Sequence, residues 1–116
     1  MDGSFGQDPA CAQADILVIG PRFQVRQLAL APGASLAMQS HLHRSEHWIV
    51  VQGTAKVTLG TSVRLVDEGQ SVHVPLGARH RLENPGRLPM LMIEVQTGTY
   101  LGADDILCHG EDIADG

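Results

Sequence analysis

The chain has 116 residues, 13 of them acidic and 8 basic, for a formal net charge of −5. That length is one domain, and the acidic balance argues against nucleic acid and anionic membrane surfaces, both of which are bound mainly through basic side chains. The two cysteines, Cys11 and Cys108, read as free thiols and not as a disulfide framework. No apolar run approaches the ~20 residues of a bilayer span, so the expectation is a cytoplasmic protein with no membrane partner.

Residues 1–14 read as a loose polar tail without the basic start and apolar centre of a signal peptide. From residue 15 onward short β segments alternate with turn residues. The segment 16–19 stops at Gly20 and Pro21, Phe23–Leu30 stops at Pro32 and Gly33, and 35–41 alternates polar with apolar. Next come 47–52 before Gly53, Ala55–Leu59 before Gly60, 63–66 before Glu68 and Gly69, and 72–74 before Pro75. His80–Glu83 ends at Asn84, and 90–96 ends at Thr97 and Gly98. About nine evenly spaced strands with no sustained 3.6-residue period predict an all-β fold, a sandwich or barrel, over 15–102. Among such folds a double-sheet jelly roll gives separated motifs a place to meet. Residues 103–116 read as an acidic tail, with a short helical turn expected over 103–107.

Two gapped patterns stand out. Gly33 is followed after five residues by Gln39, then His41, Glu46 and Gly53; Gly69 is followed after five residues by Pro75, then Gly77, His80 and Asn84. Residues two apart on a strand share a face, so Gln39, His41 and His43 point one way, and His80 and Asn84 share a face as well. A carboxylate, Glu46, follows on the next strand beside Trp48. Imidazole and carboxylate together suit a divalent ion, with Zn²⁺ the first choice and Mn²⁺, Fe²⁺, Ni²⁺ or Co²⁺ the alternatives. His41, Glu46 and His80 belong to every version of the site. Gln39 keeps both outer spacings as a fourth ligand, while His43 is the better donor chemically but leaves only two residues before Glu46. His47 faces away from Glu46. His73 is either a barrel-lining or a half-buried strand residue, and His109 lies in the tail.

These spacings resemble the two cupin motifs, with Gln39 standing where the first His of the usual pair would be. The runs 39–55, 80–86, 93–96, 100–102 and 104–106 resemble one family more closely, the cupin domain of type II mannose-6-phosphate isomerases. The resemblance covers roughly residues 23–106 and implies a double-stranded β-helix, the cupin jelly-roll barrel. It implies a metal-dependent aldose–ketose isomerase that converts mannose-6-phosphate to fructose-6-phosphate. Two segments depart from the family pattern. Residues 11–20 lack an Arg-Pro-Trp-Gly-like stretch, and 111–115 are acidic where a basic stretch is usual. A pyrophosphorylase domain has no room in 116 residues, so nucleotidyl transfer is not expected.

Isomerisation moves a proton between two carbons and needs a base, an electrophile and a grip on the phosphate. Glu94, a lone carboxylate in the apolar segment 90–96, is the candidate base, although parity alone leaves it in the lumen or on a solvated face. Arg44 is the candidate phosphate contact, with Arg79 and Arg81 turned outward by alternation. Trp48 is either core or a wall for a sugar ring. The alternatives to an isomerase are a metal-binding cupin of other activity and a non-catalytic module for a small ligand. The expected partners are a sugar phosphate and a second copy of the chain, docked through the apolar segment 16–19.

Overall fold

A computed structural model of the chain describes residues 12–102 and 105–108. The expectations for Cys11, His109 and the acidic segment 111–115 lie outside them. The described residues form ten strands and no helix. They are β1 (Ala12–Ile19), β2 (Phe23–Leu30), β3 (Gln39–Ser40), β4 (Arg44–Gln52), β5 (Ala55–Leu59), β6 (Ser62–Val66), β7 (Ser71–Val74), β8 (His80–Glu83), β9 (Met90–Gly98) and β10 (Leu107–Cys108). Two five-stranded antiparallel sheets face each other, ordered β1-β2-β9-β4-β7 and β10-β3-β8-β5-β6. This is a jelly roll, as the even strand spacing predicts.

Four details differ from the sequence reading. Of the alternating segment 35–41 only Gln39–Ser40 is strand, with an isolated bridge from Ser35 to Glu83. β1 begins at Ala12, inside the segment read as a tail. β4 begins at Arg44, because Arg44, Glu46, Trp48 and Val50 alternate inward without interruption. Of the helical turn expected over 103–107, residues 103–104 lie outside the described residues and 105–107 are not helical; Leu107–Cys108 is strand and pairs with Ser40 and Gln39.

The inner face of the first sheet changes character along its strands. β2 presents Leu30 and Leu28, then Arg26; β9 presents Met90 and Met92, then Glu94 and Gln96; β4 presents Val50 and Trp48, then Glu46 and Arg44. The registers align these changes, setting Leu28 against Met92, Arg26 against Glu94 and Glu46 against Gln96. One end of the barrel is therefore an apolar core, completed from the second sheet by Ala55, Val57, Val66 and Leu82. The other end is a polar lumen. Burying polar groups is costly unless they pair with one another, and here they do.

Two glycines shape that end. Gly77 has φ +81°, a left-handed conformation costly for other residues, and its N–H donates to the His41 carbonyl at 2.8 Å. At Gly98 a Cβ would come within 2.0 Å of the His43 carbonyl oxygen, so only glycine lets β9 pass the start of β4 this closely. Elsewhere, Ile16, Leu17, Val18 and Ile19 on the edge strand β1 are all exposed.

Candidate metal centre and ligand lumen

The polar end encloses a cavity of about 100 Å³ lined by Gln39, His41, Arg44, Glu46, Trp48, His80, Glu94 and Gln96, with Arg26 and Arg81 beside them. That is room for several waters or one small polar ligand. β3 and β8 pair Gln39 directly with His80. The His41 and His80 rings lie 5.2 Å apart between centroids, and Trp48 meets His80 edge-on at 5.4 Å.

Each imidazole is oriented by a backbone carbonyl. His41 Nδ1 lies against the Asp105 carbonyl oxygen, and His80 Nδ1 is 3.0 Å from that of Ala78. A carbonyl only accepts, so in the neutral rings Nδ1 carries the proton and Nε2 the lone pair. His41 Nε2 then faces Glu46 Oε2 at 3.3 Å. Two acceptors at that distance call for a cation or a proton between them, and two donors on one tetrahedral ion with bonds of ~2.0–2.2 Å stand about that far apart. The pair fits a divalent ion in both chemistry and spacing. Among the described residues, however, no three His, Cys, Asp or Glu side chains form a closed metal-holding group. Glu46 is held back, since its Oε1 accepts from Trp48 Nε1 at 2.6 Å and its Oε2 from Gln96 Nε2 at 3.0 Å.

The residues singled out in the sequence divide as follows. Gln39, His41, Glu46 and His80 line one cavity. His43 does not join them. Its side chain is 53% exposed, its Nδ1 bonds Asp105 Oδ1 at 3.1 Å, and its ring meets Tyr100 edge-on. The chain turns at residues 42–43 between β3 and β4, which resets the two-residue parity that grouped His43 with His41. Asn84 is buried away from the lumen, with Nδ2 donating to the carbonyls of Leu30 and Leu88 and Oδ1 accepting from Gly86 N–H. His47 and His73 both face outward and stack at 4.4 Å, so His73 lines nothing. Trp48, 3% exposed, is both core and cavity wall. Arg81, expected to face outward, is half-buried and lines the cavity.

Arg44 is buried and held. Nε donates to Asp105 Oδ2 at 3.4 Å, Nη1 to Gln96 Oε1 at 3.3 Å and Nη2 to the Gly102 carbonyl. Three of its five N–H groups are thus used. Glu94 lies in the lumen and accepts from Arg26 Nη2 at 2.6 Å and Nε at 2.9 Å. Burial first, then the nearby Glu46 carboxylate, pushes its carboxyl up to about 7, against the pull of Arg26 and Arg44. Burial also pushes the Asp105 carboxyl up, but hydrogen bonds from the His43 ring and from the backbone N–H groups of Leu42 and His43, with Arg44 beside them, outweigh it and hold the group below the usual carboxylate range. The sequence reading missed Arg26, Gln96 and Asp105 as parts of this network. The signal for Asp105 was its place in the 104–106 run that carries the family resemblance.

Two facing antiparallel sheets with this polar lumen define a cupin. A solved double-stranded β-helix protein from Klebsiella pneumoniae matches 86% of the chain and 85% of its own at a TM-score of 0.76 and 20% identity. A cupin conserved barrel domain protein from Salinispora arenicola matches 74% and 75% at 0.66 and 29%. The family model described as mannose-6-phosphate isomerase C-terminal matches residues 10–111, and the chain belongs to that family. Xanthan biosynthesis protein XanB of Xanthomonas campestris is 57% identical over 93 residues, which are 80% of this chain and 20% of that protein. The mannose-1-phosphate guanylyltransferase of Escherichia coli is 48% identical over 93 residues, again 80% and 20%. The chain spans about a fifth of the length of these relatives.

These relatives correct the functional expectation. Proteins 46–57% identical to the chain carry the names of guanylyltransferases and of xanthan and alginate biosynthesis proteins, not of mannose-6-phosphate isomerases. The family works in mannose-related carbohydrate metabolism and its named relatives include enzymes, but the expected aldose–ketose isomerisation falls. The role of Glu94 as the base of that reaction falls with it. Among the described residues no helix is long and apolar enough to cross a membrane.

Proposed function

We propose that this chain is a ligand-binding barrel that holds a phosphorylated mannose in its lumen, with a divalent ion as cofactor, in support of guanylyl transfer of the kind its relatives are named for. The observation that carries the reading is the charge of the lumen. In a chain of net charge −5, the cavity is lined by three guanidiniums, those of Arg26, Arg44 and Arg81, against two carboxylates, those of Glu46 and Glu94. One of those carboxylates, Glu94, has its pKa raised to about 7. An excess of positive charge in a partly enclosed cavity favours an anionic ligand, and Arg44 keeps two N–H groups for it.

His41, His80 and Glu46 would hold the ion, Zn²⁺ before Mn²⁺, with Gln39 as the fourth donor. The carbonyl-fixed imidazoles are what supports that assignment. When bound, the ion supplies a Lewis-acidic point for a ligand oxygen. The chain's own residues orient the ligand, with Trp48 as the wall.

Calorimetric titration of protein equilibrated with Zn²⁺ or Mn²⁺ tests the proposal. Mannose 1-phosphate is expected to bind at least tenfold more tightly than mannose. His80→Ala is expected to weaken the metal about tenfold or more and the sugar phosphate with it, at unchanged circular dichroism. Equal affinity for mannose and its phosphates, or no binding of either by metal-loaded protein, would overturn it.

A further inference from the structure

We infer that Asp105 is the positioning residue of the lumen, acting on His41 and Arg44 from the C-terminal segment 105–108. Its carboxylate accepts from Leu42 N–H at 3.0 Å, His43 N–H at 3.1 Å, His43 Nδ1 at 3.1 Å and Arg44 Nε at 3.4 Å. One buried side chain thereby caps the whole turn that separates β3 from β4. Its own backbone carbonyl accepts a hydrogen bond from His41 Nδ1–H. Arg44 Nη2 also donates to the Gly102 carbonyl, and after Asp105 β10 pairs with β3. Ile106 adds an apolar side chain to the cavity wall.

The consequence is chemical. The two lumen imidazoles depend on different supports. His80 takes its orientation from Ala78, two residues before it in its own segment, whereas His41 takes its orientation from a residue 64 positions away. A local support forms with its strand. The His41 support comes with the segment that carries Asp105, and the Asp105 carboxylate holds that segment to the turn at residues 42–44, beside the pairing of β10 with β3. Asp105 therefore sets which nitrogen of His41 presents its lone pair to Glu46, without touching a ligand itself.

The test uses nitrogen–proton correlation spectra of the histidine rings in the full chain, with no metal added, and a Co²⁺ titration read by absorption. The wild-type chain should show both His41 and His80 as Nδ1–H tautomers. In Asp105→Ala, His41 is expected to become a mixture of tautomers while His80 is unchanged, and Co²⁺ affinity is expected to fall about 10- to 100-fold, the usual cost of losing an outer support. An unchanged His80 signal reports that the fold is intact. Should Asp105→Ala not fold, Asp105→Asn keeps the volume and one acceptor oxygen, and it should shift His41 in the same direction by less. A variant that leaves His41 a pure Nδ1–H tautomer would sink the inference. The relevance to ligand binding rests on the lumen reading above. If wild-type protein takes up no Co²⁺, that reading fails while the His41 tautomer still decides the role of Asp105.

Discussion

Trp48→Ala is expected to destabilise the fold by about 3–5 kcal/mol, the range for removing a buried large aromatic side chain, and to lower Tm by on the order of 15 °C or more. The side chain is 3% exposed and packs at the level where the lumen changes from apolar to polar. The substitution removes core contacts and also takes the N–H that holds Glu46 Oε1 at 2.6 Å. Trp48→Phe separates these effects. It keeps most of the packing and loses the charge-assisted bond, for which about 1.5–3 kcal/mol is expected. Urea unfolding followed by circular dichroism measures both. A loss under about 1 kcal/mol for Trp48→Ala would show that the ring is a ligand wall with little part in the core.

Much of the fold was legible because it is written in local signals. Turn glycines such as Gly53, Gly69 and Gly77 do adopt positive φ, and they bound strands at the positions their spacing implies. The strand starts were harder. β4 begins three residues before the expected position, since the chain spends only residues 42–43 on the turn after β3. The same short turn explains His43. Parity arguments hold within a strand and fail across a reversal, and the imidazole that parity grouped with His41 is instead hydrogen-bonded to the Asp105 carboxylate.

The lumen was legible only in part, for a similar reason. Gln39, His41, Glu46 and His80 belong to two short gapped patterns and were found from them. Arg26, Gln96 and Asp105 enter through pairings of β2 with β9, β9 with β4 and β10 with β3, all distant in sequence. Nothing local marks Arg26 as the partner of Glu94, 68 residues away. The reaction was not legible at all. Donor spacing specifies a barrel and a set of ligating atoms, and the same set serves binding or several chemistries, so the isomerase expectation rested on resemblance and gave way to the names of the relatives.

Arg26→Ala is expected to have the other large effect, and its size should depend on pH. Glu94 is 4% exposed, and its carboxyl is raised from an ordinary value of 4.5 to about 7, by burial and then by Glu46, even with Arg26 beside it. Because the native group holds its proton where the unfolded chain has released it, native protein binds more protons between about pH 4.5 and 7. Stability from this group is therefore greatest below 4.5, falls as pH rises through that window and is flat above it, a total of about 3 kcal/mol. Glu94→Gln should remove that slope. Removing Arg26 takes away the cation that pulls the carboxyl down, so Glu94 keeps its proton to still higher pH and neutralises instead of standing ionised and unpaired. At pH 5, where Glu94 is protonated with or without Arg26, the loss should be about 1 kcal/mol, the value of an ordinary hydrogen bond. At pH 8 the native variant must also hold a proton one unit above the value of about 7 found beside Arg26, which adds about 1.4 kcal/mol. In Arg26→Ala combined with Glu94→Gln the difference between the two pH values should vanish. Chemical unfolding of the four proteins at pH 5 and pH 8 provides the measurement, and an Arg26→Ala loss of equal size at both would show that Glu94 is ionised throughout.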